Sequence, residues 1–130
     1  MINTVQETTR ESLAGTMTFP EVVQKLAAIG VESYRVDLIR NEKTVFMPNG
    51  ESIVEKLVWK NPAPAAQFSF EGVQAAVKRS QAKEIDYQEF LRQIMAAGTT
   101  FYMVYLNGKK VVYFGRNGEM NIEGFPIITQ

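Results

Sequence analysis

The chain contains no cysteine and no histidine. The first absence removes disulfides and thiolate nucleophiles. With the second go the Ser-His and Cys-His catalytic pairs and nearly all zinc, copper and haem sites, whose ligands are imidazole or thiolate. A metal ion would have to be a hard cation held by oxygen; none is assigned, and no cofactor is expected. An excess of either charge is missing too. Fourteen Lys and Arg balance fourteen Asp and Glu without any block of like charge, so the long-range field that draws nucleic acid or anionic lipid is lacking. No run approaches the length of a membrane span, and the opening MINTVQETTRES has no basic stretch leading into an apolar one. The expectation is a cytoplasmic protein with neither nucleic acid nor membrane as partner.

What is present is apolar patterning. With 130 residues, 45% of them hydrophobic, residues 1–130 read as a single domain burying roughly two-thirds of the surface its unfolded chain exposes. Thr99 to Glu119 carries two aromatic and β-branched runs around Asn107-Gly108, with a second Asn-Gly at Asn117-Gly118. Asn-Gly accepts the positive φ of a two-residue type I′ turn, so the stretch predicts a three-stranded antiparallel meander. Upstream, residues 3–14 predict a helix with Ile2, Val5, Thr9 and Leu13 on one side. Thr18-Phe19-Pro20-Glu21 is a capping box opening a second helix striped by Val22, Val23, Leu26 and Ile29, which Gly30 ends. From Glu32 the period drops to two, with Tyr34, Val36 and Leu38 facing one way and Arg35 and Asp37 the other. Arg40 to Lys43 reads as a polar turn, followed by strands at Thr44 to Met47 and Glu51 to Trp59. KNPAPAAQ, residues 60–67, is an extended connector.

Beyond it the order recurs. Ser69 caps a helix with Phe70, Val73 and Val77, Asp86 to Glu89 repeats the capping box, and Phe90, Leu91, Ile94 and Met95 stripe a helix that Gly98 ends before the meander. Offsetting the chain by 68 residues aligns 5–55 with 73–123 without a gap, and fifteen of the 51 positions are identical. Ordinary residue usage would give roughly three. The chain is therefore a tandem internal duplication of a helix-helix-strand-strand-strand unit, about 3–59 and 70–126, joined by a connector at 60–69. The fold class is α+β with antiparallel meanders and pseudo-two-fold symmetry; one shared sheet and two facing sheets both satisfy the pattern.

The halves differ most on one strand face. Pairing Met103 with Val112, Phe101 with Phe114 and Tyr105 with Lys110 makes Phe101, Met103, Tyr105, Val112 and Phe114 an apolar outer face, where the first copy carries Ser33, Arg35 and Asp37. A strand apolar on both faces is covered on both. The domain's own helices or other half are the first expectation for that cover; a second subunit in a homodimer and a small-molecule ligand are the others. Four further groups invite chemistry. Glu51 and Glu119, after the two matching Asn-Gly turns, would be an acid/base or cation pair if they met at a two-fold axis, although solvated turn residues are commoner. Tyr34 and Tyr102 are core residues with the hydroxyl at a rim, or pocket donors. Arg35, Asp37, Arg40, Glu42 and Lys43 crowd one hairpin, as a screened surface cluster or an anion site. Trp59 beside Pro62 and Pro64 closes the core or forms an aromatic clamp.

The stretches TFPEVVQKLAAIGVESYRVDLIRNEKTVFMPNGE and EIDYQEFLRQIMAAGTTFYMVYLNGKKVVYFGRNGE resemble the bacterial domain-of-unknown-function family 1398, which includes YbcV-like proteins and carries the label "phage envelope protein". The resemblance spans about Val5 to Pro126 and implies neither an activity nor catalytic residues. A non-catalytic binding or protein-interaction module that self-associates is the reading drawn from it and from the residues together. An enzyme built on carboxylates and tyrosines, and a phage-derived accessory protein, are the alternatives.

Overall fold

In the computed structural model, which describes residues 1–126, the elements are α1 (Ile2–Leu13), α2 (Phe19–Ala28), β1 (Ser33–Asp37), β2 (Glu42–Phe46), β3 (Ser52–Lys56), α3 (Phe70–Gln81), α4 (Tyr87–Ala96), β4 (Thr99–Tyr105), β5 (Lys110–Gly115) and β6 (Met120–Gly124). The last residues of the expected domain, 127–130, lie outside the described ones. Among the described residues no helix is long and apolar enough to cross a membrane.

The helices begin where their caps dictate. Thr18 Oγ1 accepts from Glu21 N at 3.4 Å while Glu21 Oε1 accepts from Thr18 N at 2.9 Å, closing the capping box of α2. Ser69 caps α3 through Gly72 N at 3.0 Å. Asp86 caps α4 through Glu89 N at 2.9 Å, but the reciprocal half of the expected box is not made: the Glu89 carboxylate turns to Arg92 and Gln93 instead. On the buried side of α1 stand Thr8, Thr9 and Ser12, whose hydroxyls donate to Val5 or Thr8 carbonyls at 2.7–3.0 Å. Local back-bonding lets so polar a helix face be buried.

All six strands join one antiparallel sheet in the order β3-β2-β1-β4-β5-β6, which decides for one sheet over two. The two meanders meet at β1 and β4, where Arg35 pairs with Met103. Met103 is also the counterpart of Arg35 under the 68-residue offset, so the pseudo-two-fold axis passes between these two residues. The four helices pack on one face, where Val5, Leu26, Val73, Leu91 and Ile94 meet Tyr34, Val36, Val45, Tyr102, Val104 and Tyr113.

Two turns differ from expectation for one reason. The registers Asp37 with Glu42 and Tyr105 with Lys110 leave four-residue loops, so the left-handed residue is the fourth: Asn41 and Lys109, each with φ 54°. Asn107-Gly108 is therefore not a type I′ turn. Strand β2 also starts earlier than the pattern suggests, so Lys43 belongs to the strand rather than to a polar turn.

The opposite face of the sheet carries no helix. Across it run the rows Val54–Thr44–Arg35–Met103–Val112–Ile122 and Lys56–Glu42–Asp37–Phe101–Phe114–Met120. Phe101 and Phe114 stack with centroids 4.5 Å apart, and Val112, though buried, stands apart from the helix-packed core. The expectation that the domain's own helices cover Phe101, Met103, Tyr105, Val112 and Phe114 is thus corrected: every helix is committed to the other face.

Candidate ligand-binding chamber

Between the helices and the sheet lies a cavity of about 690 Å³ that spans both repeats. This is within the range of small-molecule sites. The first repeat supplies Thr9 and Ser12 of α1, Met17, Phe19 and Val22 at the start of α2, then Tyr34, Lys43 and Leu57. From the second come Val77, Ile85, Tyr87, Phe90, Tyr102, Val111, Tyr113 and Glu123. Its rim is the α1–α2 and α3–α4 loops, with Thr18, Pro20, Lys83, Glu84 and Asp86 exposed to solvent. The hydrogen bond from Gln88 Nε2 to the Leu13 carbonyl, 2.7 Å, ties the two helical pairs together at this end.

Strand pairing explains which side chains enter. Tyr34 sits opposite Val104 and Val36 opposite Tyr102, so the duplicated tyrosines stand diagonally about the pseudo-axis and both reach the chamber. Tyr113 is in register with Tyr102 on the next strand, their rings 5.4 Å apart. Tyr87, the first residue of α4, brings its hydroxyl to 2.6 Å from that of Tyr102. Burial raises all four phenols, well above the usual range for Tyr34 and Tyr102, strongly for Tyr113, and up to about 12 for Tyr87. They act as neutral hydroxyls that donate and accept.

Lys43 is the one charged side chain deep in the wall. It is 4% exposed, and its Nζ lies 4.5 Å from the centroid of the Tyr34 ring, a cation–π contact. Among the described residues it makes no ion pair and no hydrogen bond. Burial holds its ammonium down, to about 8, while Glu55, directly opposite on β3, acts the other way from beyond ion-pair distance.

Of the residues singled out from sequence, Tyr34, Tyr102 and Lys43 line this chamber. Glu51 and Glu119 do not meet, because β3 and β6 are opposite edges of the sheet. Each folds back on its own turn, Glu51 with Asn49 and Glu119 onto Asn117 N at 3.0 Å. Arg35 and Asp37 lie on the helix-free face, Arg35 over Phe101 and Asp37 accepting from the Ile39 and Arg40 amides. Glu42 there pairs with Arg40 at 2.7 Å and Lys56 at 3.3 Å, so Lys43 parts from its sequence neighbours by one step of the pleat. Trp59 Nε1 donates to Asn41 Oδ1, and its ring packs against the core. Lys43, read from sequence as one member of the charged hairpin cluster, leaves that cluster for the cavity wall, and Tyr87 and Tyr113 are lining residues that the sequence reading did not single out. Alternation did hold a signal for Lys43, which lies two residues before the inward Val45 and so faces inward.

The phenol pair is testable. Tyr87→Phe and Tyr102→Phe are each expected to cost about 1 kcal/mol by orphaning the other hydroxyl, while the double variant costs clearly less than the sum. Urea unfolding of the four proteins measures this, and additive losses would rule the coupling out.

The family whose model matches the chain, over residues 17–123, is described as Protein of unknown function (DUF1398). No curated protein matches.

Proposed function

The chain belongs to the DUF1398 family, and within it we propose that this protein is a small-molecule-binding domain whose ligand occupies the chamber between its two repeats. The observation that carries this reading is Lys43: a chain with no net charge places an ammonium without a counter-ion in the wall of a 690 Å³ cavity. Burying an unpaired charge destabilises a fold, and such a cost is retained where it serves binding. The deep lining has hydroxyls and an amine, while the carboxylates Glu84 and Asp86 stand at the exposed rim, an arrangement that favours binding over catalysis. Aromatic and aliphatic walls with few polar groups are the usual composition of such sites.

Self-association is a second reading, favoured by the helix-free face. Met120 and Ile122 are 55% and 58% exposed there, beside Phe101, Met103, Val112 and Phe114. A continuous apolar patch of this kind marks interaction surfaces, and a second copy would complete it as a homodimer.

Native mass spectrometry of untagged protein addresses both readings. The expected spectrum is a dimer carrying a reproducible added mass that denaturation removes, with Met103→Asp giving a monomer that keeps the added mass. A bare polypeptide that takes up no member of a set of lipophilic small molecules would refute the chamber reading; a wild-type monomer would refute self-association.

A further inference from the structure

We propose that the chamber selects a monocarboxylate with an apolar body, its carboxylate paired with Lys43 and accepting hydrogen bonds from tyrosine hydroxyls. The inference rests on the chamber reading and adds the chemical class of the ligand. It starts from polarity. The deep wall is rich in donors: the Lys43 ammonium, the Tyr34 and Tyr113 hydroxyls, which have no hydrogen-bond partner among the described residues, and the Tyr87–Tyr102 pair. A ligand that satisfies them must present acceptors, and one buried ammonium is matched by one negative charge.

The number of charges argues against phosphate esters and dicarboxylates. Lys43 is alone in the depth of the cavity, whereas the other charged lining residues are Lys83, Glu84 and Asp86 at the rim and Glu123 at the far side. Their net sign is negative, so a second anionic group meets repulsion rather than a partner. In the second repeat the walls include Val77, Phe90 and Val111, which suit a hydrocarbon or aromatic body.

Orientation follows from the duplication. The counterpart of Lys43 under the 68-residue offset is Val111, which also lines the cavity. The ammonium stands in one half only, while its image is Val111 with Glu123 beside it, so a ligand with one anionic end enters with that end toward Lys43.

The test compares 4-phenylbutyrate with 4-phenylbutyramide, the same body without the charge, by isothermal titration calorimetry at pH 7 on wild type, Lys43→Met and Lys43→Gln. Wild type is expected to prefer the acid by about tenfold or more, the size of one charge-assisted hydrogen-bonded pair. Both variants should lose that preference yet keep the affinity for the amide, which shows that the cavity is still formed. Equal binding of acid and amide by wild type would overturn the carboxylate assignment while leaving the chamber in place. So would preference for the acid that survives both substitutions. If neither compound binds and wild type carries a co-purified neutral molecule, the assignment alone falls; if neither binds and no added mass is found, the chamber reading falls with it.

Discussion

Gly98→Ala is expected to destabilise the protein by about 3 kcal/mol or more, against about 1 kcal/mol for Gly30→Ala at the equivalent position. Both glycines follow a helix with left-handed φ, 94° and 86°, so both substitutions carry the same conformational strain. They differ in what a methyl group would strike. At Gly30 the nearest atom is the end of the Met47 side chain at 3.8 Å, an ordinary contact. A Cβ at Gly98 would lie 2.3 Å from the Gln67 carbonyl oxygen and 2.8 Å from Phe68 Cα. That backbone cannot step aside, because the connector is stitched to the end of α4 by Ala65 N to Met95 O at 2.9 Å and Ser69 N to Ala97 O at 2.7 Å. Among the described residues no backbone atom lies within 4 Å of a methyl group placed at Gly30, so that glycine is free of this constraint. Urea unfolding midpoints of the two variants decide the matter; equal losses would mean that the connector yields.

The second large effect is a gain of stability with alkali. Lys43 titrates near 8 in the fold against an ordinary lysine value of 10.5. Below pH 8 both folded and unfolded chains hold the proton, so this group contributes no slope and its full penalty is present. Between about 8 and 10 the unfolded chain keeps a proton that the folded chain has released. The contribution of Lys43 therefore rises with pH, by about 2 kcal/mol over that interval. From about pH 9 the phenols of Tyr34, Tyr87, Tyr102 and Tyr113 oppose it, since they keep protons that an unfolded chain begins to give up, and by about pH 10 they offset most of the gain. Urea unfolding at pH 7, 8, 8.5 and 9 should trace a net rise of about 1 kcal/mol. Lys43→Met should flatten it and be more stable than wild type at pH 7; a wild-type profile that is flat or falling over this range would contradict the burial of the amine.

How much of this was readable beforehand depends on which interactions decide each feature. Capping side chains and period-two alternation act within a few residues, so α2, α4 and β4 to β6 fall near their predicted places. The duplication is also a matter of sequence alone, and it implies the two-fold relation that β1 and β4 realise. Turn geometry was less legible. Asn107-Gly108 has the composition of a tight turn, but the register set by Phe101 opposite Phe114 and Met103 opposite Val112 places the left-handed residue at Lys109. Local preference yields there to the pairing of whole strands. The site was the least legible part. Tyr34 and Tyr102 are visible as a repeated pair, yet the residues that give the chamber its character come from positions where the repeat has drifted. Lys43 answers to Val111 and Tyr113 to Val45, and Tyr87 reaches Tyr102 only through the packing of α4 on the sheet. Glu51 and Glu119, by contrast, are faithfully repeated because each holds its own turn.

The axis between Arg35 and Met103 bears on how such a site can arise. Were the repeat still a separate chain that formed this sheet as a homodimer, every substitution would occur twice. A lysine at position 43 would then bring two ammoniums into one cavity, facing each other across the axis with no counter-ion for either. Covalent joining of the two units removes that constraint. Each half can mutate alone, one wall can become cationic while its image stays hydrocarbon, and a chamber that symmetry would have kept even-handed acquires a head and a tail.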